Sequence, residues 1–213
     1  MSDALNLPIG LAMGLNLVAL ASSRLPSVIR AAAMQGMVLG TLPLLMENAV
    51  NGLMIVVAVG TVAVKGFVIP HLLRRALRAA HIDREVEPLL GFIPSLLLGA
   101  AATVGAVALA GALPLLPEHA GTLLVPGAFA TLVSGLLLLM GRSKAISQVC
   151  GYLILENGIY LFGLLLIRAT PLIVEAGILL DLTVGVFVIG IIVDRIQREF
   201  DTLDTRILTT LRE

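Results

Sequence analysis

The chain has 213 residues, of which 58% are hydrophobic and only 13% charged, with no formal net charge and a mean hydropathy of +1.04. A soluble globular domain has apolar residues nearer half and charged residues at about a quarter, so this composition excludes one and points to an integral membrane protein. The zero net charge says little about partners, because the placement of charge along a membrane chain matters more than its sum.

The N-terminus, MSDALNLPIG, carries Asp3 and no Lys or Arg ahead of its first apolar segment. It lacks the basic start of a secretory signal and reads as a retained first span. About seven apolar segments follow in order, near 6–22, 29–46, 50–70, 91–113, 121–140, 146–167 and 172–193. Each is long enough, or nearly so, to cross about 30 Å of hydrocarbon as a helix. The second is the weakest, with Gln35 inside it and Pro43 near its end. Gly10/Gly14 and Gly36/Gly40 have the spacing of small residues that lets helix backbones approach closely in lipid.

Between the third and fourth segments, HLLRRALRAAHIDREVEPLL mixes basic and acidic residues with helix formers and is expected along the cytoplasmic surface. The other links, apart from 114–120, are short and leave no room for a folded soluble domain. After the last segment, Ile196, Phe200, Leu203, Ile207 and Leu211 recur at steps of three and four, one apolar stripe on a polar helix. That stripe would bury against the membrane surface, the chain's own loops or a neighbouring protein.

Charge fixes the expected orientation. With the N-terminus outside, every Lys and Arg except Lys65 and Arg168 falls inside: Arg24 and Arg30, then Arg74, Arg75, Arg78 and Arg84, then Arg142 and Lys144, then Arg195, Arg198, Arg206 and Arg212. Asp3, Glu47 and Glu118 mark the outer side. The expected fold is therefore all-α and polytopic, about seven transmembrane helices with N outside and C inside.

No CxxC pair, HExxH, P-loop or dinucleotide fingerprint occurs. His71, His81 and His119 fall at segment ends or in loops and read as solvated interfacial residues, and Cys150 reads as small apolar filler. The expectation is a chain with no catalytic residue, no metal ligand and no bound cofactor, so any redox centre would lie in another protein.

Proton chemistry remains. Glu156, Asp181 and Lys65 stand inside long apolar runs, where an ionisable group costs roughly 2.5 to 3.5 kcal/mol on insertion scales and persists mainly where it pairs, meets water or moves a proton. At a rise of about 1.5 Å per residue, Glu156 and Asp181 each lie about 14 Å from the entry of their helices, so opposite traversal brings both near the midplane. They are candidate relay carboxyls, Lys65 a candidate charge-coupling residue and Glu175 a candidate outer-side group. The plainer alternatives are a Lys65 that snorkels to the interface, structural hydrogen bonds for the two midplane acids, and an interfacial role for Glu175.

These residues also carry a resemblance. Gly151-Tyr-Leu-Ile-Leu-Glu156-Asn-Gly158 and Leu180-Asp181-Leu-Thr-Val-Gly185 resemble the second- and third-helix patterns of the three-helix K-type subunit of respiratory complex I and related cation/proton antiporters, with aspartate where that subunit has glutamate. Over its whole length, through Lys65-Gly-Phe-Val-Ile-Pro70, Leu155-Glu-Asn-Gly158, Val174-Glu175 and Thr202-Leu-Asp204, the chain is similar to the hydrogenase-4 component E family of membrane proteins. The resemblance implies a K-type unit over 121–195 and a cytoplasmic amphipathic tail over 196–213. Before them stand a linking fourth helix and outer loop over 91–120 and an N-terminal three-helix part over 1–90. That first part reads as a degenerate copy, in which Gly36-Met-Val-Leu aligns with Gly151-Tyr-Leu-Ile and Thr41 stands where Glu156 would.

The implied function is that of a proton-translocating subunit of a complex I-like, group-4 nickel-iron hydrogenase in a bacterial or archaeal cytoplasmic membrane. Its implied partners are the lipid bilayer, antiporter-like membrane subunits, and soluble hydrogenase and iron-sulfur subunits that hold the iron-sulfur clusters and nickel-iron centre; no nucleic acid is implied. A subunit of a multi-subunit cation/proton antiporter without redox partners is the alternative. A self-contained small transporter is disfavoured, because no segment shows the paired Gly/Pro breaks of midplane substrate sites.

Overall fold

The computed structural model describes residues 2–46, 52–79, 84, 88–114 and 121–166. The segment 172–193, with Glu175 and Asp181, and the tail over 196–213 lie outside the described residues. The helices are α1 (Ser2–Ala21), α2 (Leu25–Gly40), α3 (Leu42–Met46), α4 (Gly52–Ala63), α5 (Ile69–Ala79), α6 (Phe92–Ala112), α7 (Leu124–Gly141) and α8 (Ala145–Leu166), with a π turn over Val64–Val68 between α4 and α5. Among the described residues six helices are long and apolar enough to cross a membrane, since α2 with α3 and α4 with α5 each make one span.

Proline explains both irregular spans. Pro43 has no N–H to offer the carbonyl of Leu39, so the second span breaks at Thr41, whose N–H turns back to the carbonyl of Val38 at 3.3 Å. In the third span Pro70 sits just after the π turn, where the N–H of Ile69 reaches back five residues to the carbonyl of Val64. One extra residue in that turn accommodates a ring that would otherwise meet the preceding carbonyls. Lys65 is the second residue of this widened turn.

The helix of the third span runs on through Ala79 rather than ending at 70. Ile69, Leu73, Ala76 and Leu77 face the core while Arg74, Arg75 and Arg78 are exposed, so the expected surface stretch is in its first half an amphipathic extension of the span.

Glycine sets the closest helix approach. α7 and α8 run antiparallel, and a Cβ added at Gly151 would lie 2.6 Å from the backbone N of Leu139, one at Gly158 2.6 Å from that of Leu132, and one at Gly135 would collide with the backbone of Leu155. α2 and the third span meet similarly: a Cβ on Gly36 would lie 2.8 Å from the Cβ of Lys65, and one on Gly40 3.2 Å from Thr61. The Gly36/Gly40 pair thus makes a close contact inside the chain, whereas Gly10 meets only a Leu123 methyl at 3.8 Å and Gly14 nothing within 4 Å.

The two ends of the bundle are tied by side chains. At one end Asn6 accepts from the N–H of Leu123 at 2.8 Å and donates to the carbonyl of Gly121 at 3.1 Å. At the other, Arg142 is 2% exposed and donates to the carbonyls of Leu20 at 2.6 Å and Leu90 at 3.0 Å, with its guanidinium 4.4 Å from the centroid of Phe92. A cation on the last-turn carbonyls of α1 also satisfies its helix dipole. Residues 20–24, 84, 90 and 142 therefore gather at one end and residues 6 and 121–123 at the other, the alternation expected of successive crossings.

Candidate functional site

The core divides into two apolar clusters with a polar layer between them. One cluster holds Leu20, Ile29, Leu73, Leu138 and Cys150; the other holds Ile9, Leu39, Leu124, Ala128 and Leu161. Along α1, α2, α7 and α8 the chain passes from one to the other through Asn16, Gln35, Thr131 with Ser134, and Glu156 with Asn157, all buried. Lys65 enters the same layer from the π turn, its side chain 11% exposed.

Lys65 Nζ lies 3.5 Å from Glu156 Oε1 and donates to Asn157 Oδ1 at 3.1 Å. The ring of Tyr160, one turn along α8, has its centroid 5.7 Å from the ammonium. From Asn157 a chain of amides continues. Asn157 Nδ2 donates to Gln35 Oε1 at 3.1 Å, Gln35 Nε2 to Asn16 Oδ1 at 2.7 Å and to the carbonyl of Ala12 at 3.3 Å, and Asn16 Nδ2 to Thr131 Oγ1 at 2.9 Å. Every donor in the series points away from the ammonium, so the charge of Lys65 orients the whole row; turning one amide over would place an N–H against a cation or another N–H.

Three features of the sequence put Lys65 there. Pro70 widens the turn that carries it, Gly36 lets its Cβ press against α2, and the ENG run offers a carboxylate and an amide on consecutive residues of α8. The side chain lies inward at mid-bundle, opposite a carboxylate, which is not the geometry of a lysine snorkelling to an interface.

Glu156 Oε1 faces the ammonium, while Oε2 and the hydroxyl of Ser134 are buried without a hydrogen-bond partner among the described residues. The carboxylate is thus held on one oxygen and open on the other. Asn16, Gln35 and Asn157 are amides and do not ionise. Of the expected site residues, Lys65 and Glu156 are brought together; Asp181 and Glu175 lie outside the described residues.

Asn16, Thr131 and Ser134 are polar-layer residues that charge alone does not reveal, and Gln35 reads in the sequence only as an interruption of the second span. The available signal is an amide inside an apolar run, which membrane burial keeps only where it finds a partner.

The described residues form an all-helical, multi-pass membrane protein whose bundle encloses a buried lysine–glutamate pair within a polar layer. The chain is 37% identical over 191 residues to Uncharacterized protein Rv0085 of Mycobacterium tuberculosis, a match covering 89% of this chain and 87% of that protein. It belongs to the same family. A shorter stretch of 78 residues is 36% identical to Hydrogenase-4 component E of Escherichia coli and to that of Shigella flexneri, spanning 37% of this chain and 36% of each relative. No family model and no solved structure matches.

Proposed function

We propose that the chain is a proton-handling membrane subunit of a complex I-like, group-4 nickel-iron hydrogenase assembly. The observation that carries this reading is the Lys65–Glu156 pair at mid-span, closed in by an amide row and by Tyr160. The partial likeness to Hydrogenase-4 component E supports the choice of assembly.

In this reading Glu156 is the relay carboxyl and Oε2 the atom on which a proton loads. Lys65, whose ammonium faces Oε1, is the charge-coupling residue. Asn157, held by Gln35, keeps the ammonium in place between transfers. Asp181 is the second relay carboxyl and Glu175 the outer-side group. The chain itself binds no cofactor; electron transfer belongs to soluble iron-sulfur and nickel-iron subunits, and antiporter-like subunits continue the proton path within a bacterial or archaeal cytoplasmic membrane.

Affinity purification of the tagged chain from its native membrane tests the assembly. Subunits bearing iron-sulfur clusters and nickel co-purify in this reading. A complex of polytopic subunits alone, free of iron and nickel, would contradict it.

A further inference from the structure

The end of the bundle that gathers the basic loops carries a cleft of about 280 Å³ lined by Arg24, Pro26, Arg30 and Arg84. Arg24 and Arg84 are paired by an isolated antiparallel backbone bridge, so the main chain fixes the approach of two like-charged residues. Arg30 lies on α2, its Nε donating to the carbonyl of Pro26 at 3.2 Å. All three arginines are exposed to solvent. Three guanidiniums lining one cleft attract an anion into it. α2 also starts at this cleft, and the positive end of its dipole adds to the field.

We propose that the cleft binds the phosphodiester headgroup of an anionic phospholipid in the adjoining leaflet. It lies where α1 ends and α2 begins, the level at which hydrocarbon gives way to headgroups. Guanidinium forks suit phosphate oxygens, and basic pockets at the ends of spans select anionic lipids. Met34, one turn deeper than Arg30 on α2, is exposed and offers an acyl chain an apolar surface directly below the headgroup. Inorganic phosphate can use the guanidiniums but not that surface.

Native mass spectrometry of the full chain in an uncharged detergent, titrated with phosphatidylglycerol, phosphatidylcholine or inorganic phosphate, tests the site. Phosphatidylglycerol binds the wild type in preference to phosphatidylcholine, and its apparent Kd rises by about tenfold or more in Arg24→Gln/Arg30→Gln/Arg84→Gln. Arg74→Gln/Arg75→Gln, which removes surface charge outside the cleft, leaves it unchanged. The exposed single variant Arg30→Gln, with helicity checked by circular dichroism, gives an intermediate loss and covers the case in which the triple variant does not fold.

Equal phosphatidylglycerol affinity in wild type and Arg30→Gln, equal binding of phosphatidylcholine, or loss of lipid with the Arg74/Arg75 control would each overturn the site. Displacement of the lipid by equimolar inorganic phosphate would reassign it to a free anion. Lipid retained by the isolated chain but missing from the chain purified with its partners would reassign the cleft to an acidic segment of a neighbouring protein.

Discussion

The Lys65–Glu156 contact sets what each partner costs without the other. Two ionisable groups with side chains 11% and 8% exposed are tolerable as a pair, whereas removing one leaves a buried charge or forces a change of protonation. A double-mutant cycle of Lys65→Met and Glu156→Gln, read by thermal unfolding in detergent, should therefore give a coupling of about 0.5–3 kcal/mol. Additive costs would show that the two do not interact. Gln35→Leu should destabilise by about 1–3 kcal/mol, since it strips partners from both Asn157 and Asn16. At this scale the sequence revealed the charged members of the layer and missed most of the amides. A carboxylate in an apolar run stands out on any hydropathy scale, but an asparagine does not, and nothing local in the sequence shows that Lys65 lies beside Glu156.

At the level of helices, glycine and proline do the positioning. Gly158→Ala should cost about 1–3 kcal/mol, because the new methyl meets the backbone of Leu132, which cannot move aside without parting α7 from α8. Gly14→Ala, with nothing within 4 Å, should be neutral or stabilise by roughly 0.5–1 kcal/mol. The same thermal measurement checks both, and a reversed order would contradict the packing. Gly10/Gly14 and Gly36/Gly40 look alike in the sequence; only the neighbouring helix distinguishes a contact from an idle position. The fourth and sixth spans were readily legible, as 91–113 against Phe92–Ala112 and 146–167 against Ala145–Leu166 show. The π turn was not, because Pro70 at the end of an apolar run looks like a helix stop, whereas here the turn before it absorbs the ring and the helix continues.

For the whole molecule, the basic loops converge on one end: Arg24 bridges Arg84, and Arg142 reaches Leu20 and Leu90. A reporter inserted near Lys144 should thus be cytoplasmic and one near Glu118 external, and the same side for both would break the alternation of spans. The sequence shows this sorting of charge along the chain without showing that one arginine of the set, Arg142, is a buried clamp on three connections rather than a solvated anchor.

Proton handling by the buried pair is read by proton uptake into vesicles reconstituted with the purified complex, measured beside dye-linked hydrogenase turnover. Glutamine keeps the shape and much of the hydrogen bonding of Glu156 without its ionisation. Glu156→Gln should assemble, keep its dye-linked turnover and lose proton uptake by about tenfold or more. Lys65→Met should impair uptake, and Lys65→Arg should retain part of it. Normal proton uptake by the assembled Glu156→Gln complex would contradict proton handling and leave the pair as a structural contact.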